Sequence, residues 1–349
     1  MHLMENHEQY DRCLVLAGGG FRFAYYLGVH AAAEDRDRAP DVLLATCGGA
    51  IAAAVIAGLP DRHARLAWAA SPEMHRFLRE VQPTRRATPV RTLAGAALRW
   101  LDRTPASRIP DLAQDYLFEF PAALPVPPEP LPGAPALAIV GGKLLFHPDE
   151  AGERRGPRQL FAQVVFCPAR AARLLDGRAA PAADQRWSSG AVATALQVDS
   201  DMPLPDAVRI SIADMFYFST QVCAAHHYTG GVIDLFPIEL AQLLARSVVM
   251  ERKMPFNRWL ALPALRSVLG IDGAARLRHV HAQHADAWVD TRDVGKALRG
   301  QGVGKRIGWH RNRIELDVPA SHAAYAAQVQ AQWEYGYRKG LAAFGEAAA

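Results

Sequence analysis

The sequence predicts an α/β protein with a mostly parallel sheet, and two neighbouring segments carry this prediction. Cys13 to Ala17 is a short apolar run that ends in Gly18-Gly19-Gly20, and helix-compatible sequence follows to Glu34. Asp41 to Ala45 repeats the arrangement, with the tight turn Thr46-Cys47-Gly48-Gly49 leading into an Ala-rich and Ile-rich helix. Two consecutive strand–turn–helix units are typical of a parallel sheet whose two faces are both covered by helices.

The composition is that of a folded protein. The 349 residues include 39 Lys and Arg against 35 Asp and Glu, and half of the residues are hydrophobic. This balance is too apolar and too nearly neutral for a disordered chain. The net charge of +4 does not favour nucleic acid as a partner. We expect one domain, because single α/β domains of this length are common.

The cysteines and the apolar runs exclude several further classes. Cys13, Cys47, Cys167 and Cys223 include no C-x-x-C pair, so neither a disulfide framework nor a zinc site is expected. The most apolar run, 48–59, is shorter than the roughly 20 residues that a membrane-spanning helix needs. The amino-terminal residues contain no apolar signal core. We therefore expect a cytoplasmic protein that requires no metal and no cofactor.

The rest of the chain suggests a core with one insertion. Residues of about 61–135 are helical, rich in Arg and then rich in Pro, which predicts a cap beside the site. The core is predicted at about 10–60 and 136–290, with a terminal helix at about 321–344. Its other predicted elements are a hairpin of Ala136–Val140 and Leu144–His147, strands at Ala162–Cys167 and Val208–Ala213, and a helix that opens near Pro237.

The two glycine turns are the best candidates for a chemical site. Backbone N–H groups at Gly18, Gly19 and Gly20 precede a helix, where an anion or a reaction oxyanion would bind. Cys47 stands between strand and helix with small neighbours, as a nucleophile on a sharp elbow does. Two alternatives remain at this point. Cys47 could be a small buried apolar residue. The glycines could instead bind a dinucleotide, although Phe23 occupies the third glycine position of that fingerprint.

Three stretches resemble the patatin-like phospholipases. That family carries a G-G-G-x-R/K-G oxyanion loop, a G-x-S-x-G elbow and a distant D-G-G/A turn. The matching stretches here read G-G-G-F-R-F from Gly18, A-T-C-G-G from Ala45 and T-G-G from Thr229. The resemblance implies a single three-layer α/β/α domain over residues 1–349 and a lipid acyl hydrolase or acyltransferase. It also implies an oxyanion site built from the glycine loop, Arg22 and Gly48.

The departures from this pattern concern the catalytic dyad itself. The resemblance places Cys47 where the family has its Ser and Thr229 where it has its Asp. A thiol at a helix N-terminus has a lowered pKa, so it depends less on an acidic partner than a hydroxyl does. His226 and His227 precede Thr229 and are candidate bases, although two exposed loop histidines would look the same. Asp234 is interpreted as the anchor of a turn.

These residues lead to two hypotheses. In the first, Cys47 attacks an acyl ester or thioester, and water or another acceptor releases the acyl group. In the second, the chain is an inactive acyl-binding or interaction protein that keeps the fold. The basic segment 62–108 is interpreted either as helices with a solvated face or as an amphipathic lid that touches an inner membrane surface. The basic segment 296–313 is interpreted either as a surface loop or as a contact with lipid headgroups or with the phosphate of an acyl carrier. The chain length of the substrate and the oligomeric state are not predicted.

Overall fold

A computed structural model describes residues 9–346. Strands and helices are named here in chain order. The strands are β1 Tyr10–Leu16, β2 Val42–Ala45, β3 Gln82–Pro83, β4 Phe118–Glu119, β5 Ala136–Leu144, β6 Phe161–Phe166, β7 Gln197–Asp199, β8 Gln221–Cys223, β9 His226–Thr229, β10 Ala245–Arg252, β11 Ala287–Asp290, β12 Gly304–Gly308 and β13 Arg313–Asp317. The helices are α1 Ala24–Glu34, α2 Gly48–Gly58, α3 Arg62–Ala69, α4 Pro72–Glu80, α5 Pro89–Leu101, α6 Ala169–Leu175, α7 Leu204–Ser211, α8 Ile238–Leu244, α9 Ala261–Ala264, α10 Gly273–Ala282, α11 Val294–Ala297 and α12 His322–Glu346.

The central sheet has the strand order β11-β10-β1-β2-β5-β6-β7, and its middle is parallel. The strand β1 pairs in parallel with β10 on one side and with β2 on the other, and β2 pairs in parallel with β5. Antiparallel pairing begins where β6 and β9 join β5. Because β1 and β2 run in the same direction, the loops that follow them meet at one edge of the sheet. Ligands of open parallel sheets bind at such an edge.

Both faces of the sheet are covered, and the side chains of β1 show why. Alternate residues of a strand point to opposite faces. Cys13 and Val15 therefore pack in the apolar layer that contains α8, whereas Leu14 and Leu16 pack in the layer that contains α1, α2 and α12. All four side chains are buried. The predicted three-layer arrangement of helix, sheet and helix is confirmed.

Several predicted elements are confirmed. The apolar runs before the two glycine turns form β1 and β2, and the segments after them form α1 and α2. The strand predicted near Ala162 is β6, the helix predicted after Pro237 is α8, and the terminal helix is α12. In the described residues 9–346, we find no helix that is both long and apolar enough to cross a membrane. The division into core and cap stays a prediction.

The predicted hairpin of Ala136–Val140 and Leu144–His147 is wrong. Residues 136–144 form the single strand β5, and Gly141 and Gly142 lie inside it. These glycines do not make a turn, because other elements pack closely against them. A Cβ at Gly142 would lie 2.9 Å from the Thr229 side chain, and one at Gly141 would lie 2.8 Å from Ile210. Glycine within a strand often marks such a close approach.

The predicted strand at Val208–Ala213 is also wrong, because helix α7 occupies 204–211. Its buried residues Ala207, Val208, Ile210 and Ser211 have helical spacing, and Pro203 precedes the first turn, where proline is tolerated. The short apolar run was therefore assigned the wrong period. This error matters for function, because the loop that follows α7 reaches the candidate site.

Candidate active site

Cys47 occupies a strained backbone position between β2 and α2. Its φ of 49° and ψ of −127° lie in a region that residues with side chains rarely adopt. Gly48 permits the turn, because a Cβ there would lie 2.3 Å from the carbonyl oxygen of Gly20. Cys47 itself is only half-buried. The geometry is that of an elbow that holds a nucleophile at the carboxyl edge of the sheet.

The thiol of Cys47 has an acidic partner that the sequence analysis did not identify. Cys47 Sγ donates a hydrogen bond to Asp214 Oδ2 at 2.8 Å. The two residues are 167 positions apart in the sequence. The other oxygen of the carboxylate, Oδ1, accepts a longer bond of 3.3 Å from the backbone N–H of Val232. The fold therefore places the Cys47 thiol and the Asp214 carboxylate side by side.

The Thr229-Gly230-Gly231 turn holds the loop that carries Asp214. The carbonyl oxygen of Ala213 accepts hydrogen bonds from the Gly230 backbone N–H at 2.8 Å and from the Thr229 hydroxyl at 3.3 Å. A Cβ at Gly230 would lie 2.3 Å from Asp214 Oδ1. Thr229 therefore positions the acid instead of supplying it, and the glycine beside it makes room for the carboxylate.

Ser211 fixes the backbone of the elbow. Its hydroxyl donates to the carbonyl oxygen of Val140 in β5 at 2.7 Å and accepts from the backbone N–H of Cys47 at 2.9 Å. Ser211 is fully buried and closes α7. One short side chain thus connects the central sheet, the nucleophile and the loop that carries Asp214.

The glycine loop after β1 lies against the sulfur. The backbone N–H groups of Gly48 and Gly20 both donate toward Cys47 Sγ, and this favours its thiolate. Gly20 has a φ of +57°, which glycine adopts without strain. N–H groups directed at the nucleophile are those that an oxyanion would use after attack. This placement supports the predicted roles of Gly18, Gly19, Gly20 and Gly48, which stay predictions.

A buried network on the opposite side holds the carbonyl groups of the same loop. Lys253 Nζ donates to the carbonyl oxygen of Gly18 and lies 3.2 Å from Glu251 Oε2. The buried carboxylate of Glu251 also accepts from the hydroxyl of Tyr25 at 2.9 Å and from that of Thr291. The hydroxyl of Tyr26 lies between Glu251 and the carbonyl oxygen of Ala17. With the carbonyls held on this side, the N–H groups of the loop face the site.

Burial shifts the pKa values of both reactive groups upward. Burial, followed by the negative charge of Asp214, raises the pKa of the Cys47 thiol well above its ordinary value. Burial also raises the pKa of Asp214 from 3.8 to about 7, although the bond from Cys47 opposes this shift. The expectation that a helix N-terminus would lower the thiol pKa is therefore wrong, because desolvation is the larger effect. At neutral pH the thiol keeps its proton until a base removes it.

The two candidate histidines are not hydrogen-bonded to Cys47 in the described part of the chain. They lie in the β8–β9 hairpin, where His227 pairs with Val222 and His226 with Cys223. Among residues 9–346, the hydrogen-bond partner of the Cys47 thiol is Asp214, not an imidazole. The role of His226 or His227 as a base stays a prediction, with no contact to the thiol in its support.

The remaining candidates have structural partners. The carboxylate of Asp234 is buried against the guanidinium of Arg276 at 3.1 Å, as expected for an anchor. Arg22 lies against Gly302, and its Nε has no hydrogen-bond partner within the described part of the chain, so its role stays a prediction. Within residues 9–346, no group of three or more His, Cys, Asp or Glu residues is placed to hold a metal ion.

Comparisons with known proteins find a family and a solved structure that are similar to this chain. The chain is similar to the crystal structure of VipD from Legionella pneumophila, with 12% sequence identity and a TM-score of 0.32. That similarity covers 71% of this chain and 51% of VipD, so the chain spans about half the length of that protein. A search of curated proteins finds no match. The family described as patatin-like phospholipase matches residues 14–241, which is more than half of the chain. The chain therefore belongs to the patatin-like phospholipase family.

Proposed function

We propose that this protein cleaves lipid acyl esters with a Cys47–Asp214 dyad. Family membership supports a lipid acyl hydrolase at the coarse level. The finer proposal depends on one observation, the 2.8 Å hydrogen bond from Cys47 Sγ to Asp214 Oδ2 at a strained elbow. A nucleophile within hydrogen-bond reach of a base is the arrangement that covalent catalysis requires.

The raised pKa values make Asp214 suited to general-base catalysis. A base works best when its pKa lies near the working pH, and that of Asp214 is about 7. Ionised Asp214 takes the thiol proton while Sγ bonds to the ester carbonyl carbon, and the carbonyl oxygen becomes an oxyanion. The N–H groups at Gly20 and Gly48 would stabilise that charge. The C–O bond then breaks, the leaving alkoxide takes the proton from Asp214, and an acyl-thioester remains on Cys47.

The second half of the reaction reuses the same groups. Asp214 accepts a proton from an attacking water molecule, whose oxygen bonds to the thioester carbonyl carbon. The C–S bond breaks, the fatty acid leaves, and the sulfur regains the proton. Thioesters also react with thiols and amines, so an acceptor other than water would make the protein an acyltransferase. Contact with an acyl carrier through the basic segment 296–313 stays a prediction.

One observation favours the second candidate, an inactive acyl-binding protein. Burial raises the pKa of both Cys47 and Asp214, so the neutral pair predominates below about pH 7. A pair that remains neutral would hold the elbow in shape without attacking a substrate. The pH dependence of the rate separates this candidate from the enzyme.

The test is the pH profile of kcat/KM on a short soluble ester such as p-nitrophenyl butyrate. We expect the rate to rise as the pH passes about 7, where Asp214 ionises. Asp214→Asn should lower kcat/KM at pH 8 about 100-fold or more, because it removes the base. Cys47→Ala should abolish turnover. The matched controls, Cys223→Ala and Asp176→Asn, change a half-buried cysteine and an exposed carboxylate and should retain activity. Equal activity of wild type and Cys47→Ala would contradict the proposal.

A further inference from the structure

Helix α5 presents its apolar side chains to solvent. Val90, Leu93, Leu98 and Leu101 are 72%, 63%, 68% and 64% exposed. Positions 90, 93, 98 and 101 recur with helical spacing and so form one stripe along α5. A helix at a protein surface normally turns such a stripe toward the core. An outward apolar stripe of this length indicates that another apolar phase covers it.

A second exposed apolar segment adjoins this stripe and leads to the site. Trp259 and Leu260 are 50% and 54% exposed, and the ring of Trp259 lies 5.2 Å from that of Trp100 on α5. The same segment begins just after Lys253, whose Nζ donates to the glycine loop. We call the joint surface of Leu93, Leu98, Trp100, Leu101, Trp259 and Leu260 the α5 face.

The other side of α5 reaches the acid of the candidate dyad. The guanidinium of Arg99 lies 4.0 Å from the ring centre of Phe216, two residues after Asp214. The loop that carries Asp214 therefore contacts α5 directly, through Phe216 and Arg99. The glycine loop contacts Lys253, which precedes the exposed segment of Trp259 in the sequence.

The charges around the α5 face are mainly basic. The guanidinium of Arg258 covers the ring of Trp259 at 4.9 Å, and that of Arg103 lies 5.6 Å from the ring of Trp100. Arg91 is exposed, and its nearest carboxylate, that of Asp115, is 4.0 Å away. Tryptophan and arginine beside an apolar helix face are typical of helices that lie in the headgroup region of an anionic bilayer.

We infer that the α5 face docks on an anionic lipid bilayer and thereby presents lipid esters to Cys47. The inference takes its purpose from the proposed function, although docking itself requires no catalysis. A bilayer fits better than a protein partner, because the face combines leucines for the acyl region with arginines that match anionic headgroups. It also lies beside the site of a protein whose family acts on lipid esters.

The test uses the Cys47→Ala protein, so that hydrolysis cannot change the membrane. Sedimentation with vesicles of phosphatidylcholine and phosphatidylglycerol should show binding. Changing Leu93, Leu98 and Leu101 together to Ser should lower the partition coefficient at least about tenfold, because three apolar side chains that the bilayer would bury are lost. The matched control changes Leu131, Leu145 and Val222 to Ser, which are 40%, 38% and 62% exposed on other elements, and should bind as before.

The arginines provide a second arm. Changing Arg91, Arg103 and Arg258 together to Gln should weaken binding to vesicles that contain phosphatidylglycerol about tenfold or more. The variant should then show no preference for these vesicles over pure phosphatidylcholine vesicles. Absence of vesicle binding, or an equal loss in the control triple variant, would overturn the inference. So would a wild-type dimer that the Leu-to-Ser variant dissociates, because a second copy would then cover the face. The same Leu-to-Ser changes made in the protein that retains Cys47 should leave hydrolysis of the short soluble ester unchanged, so that this rate reports on the dyad separately.

Discussion

Cys47 and Asp214 occupy positions where ionisation is unfavourable, and this determines the pH at which the pair can react. Burial disfavours the charged form of both groups. The charge of Asp214 makes ionisation of Cys47 harder still, whereas the hydrogen bond from Cys47 makes ionisation of Asp214 easier. The pair is stable as a neutral thiol and carboxylic acid, and it becomes reactive as Asp214 loses its proton. A reactive group that is costly to the fold is common at functional sites.

The stability of the protein should therefore depend on pH through Asp214. Its folded pKa of about 7 exceeds its ordinary value of 3.8, so between these values the folded state keeps a proton that the unfolded chain has lost. The free energy of unfolding falls as the pH rises through this window. Asp214→Asn lacks the carboxylate, so we expect it to be more stable than wild type at pH 8 by roughly 1 to 3 kcal/mol.

Urea unfolding of both proteins at pH 8 and at pH 4.5 measures this difference. The advantage of Asp214→Asn should shrink toward pH 4.5, where wild-type Asp214 is protonated in the folded state. A variant that is less stable than wild type at pH 8 would show that the carboxylate contributes more through its hydrogen bonds than burial costs.

The elements differ in how far the sequence predicts them. The two strand–turn–helix units are strongly marked, because a buried strand, a glycine turn and an Ala-rich helix leave few alternatives. Helix α7 is not predicted, because a segment of only eight residues with few apolar positions fits either period. Because of this error Asp214 was not identified, since a strand at 208–213 gives no reason to expect that the loop after it reaches Cys47. The available signal is Asp214 itself, an acid that directly follows the helically spaced residues and Ser211-Ile212-Ala213.

The partner of Cys47 could not be read from the family pattern alone. The D-G-G turn lacks its acid at Thr229, yet a carboxylate from the neighbouring loop reaches the same sulfur. Contacts between residues 167 positions apart depend on the whole fold. The hypothesis that the acid had been lost followed from sequence position, whereas the structure shows that another loop supplies a carboxylate.

The strand β10 makes its own contribution to the site through Glu251 and the residue just after the strand, Lys253. We expect Lys253→Met to lower kcat on a soluble ester about tenfold and to leave KM nearly unchanged, because the carbonyl of Gly18 loses its donor and the oxyanion loop is no longer held. Steady-state kinetics with thermal unfolding measures this effect. The matched control is Lys339→Met, which removes the ion pair between Lys339 on α12 and Asp293. An equal fall in kcat, together with an equal loss of thermal stability, in both variants would indicate general destabilisation instead.

At the scale of the whole molecule, the sheet brings separate segments to one edge. The loops after β1 and β2 supply the glycines and Cys47, the loop after α7 supplies Asp214, and β9 ends beside both. Helix α5 contacts the loop that carries Asp214 through Arg99 and Phe216, which links the proposed membrane contact to the dyad. The parallel core explains this convergence, since the carboxyl ends of β1, β2 and β10 point the same way.

The most direct test of the central claim is the intact mass of the protein after brief exposure to a p-nitrophenyl ester at pH 8. A Cys47 nucleophile predicts one added acyl group on wild type and on Cys223→Ala, and none on Cys47→Ala. Asp214→Asn should acquire the group much more slowly than wild type. An acyl group that appears on Cys47→Ala as fast as on wild type, or on neither protein, would contradict the account.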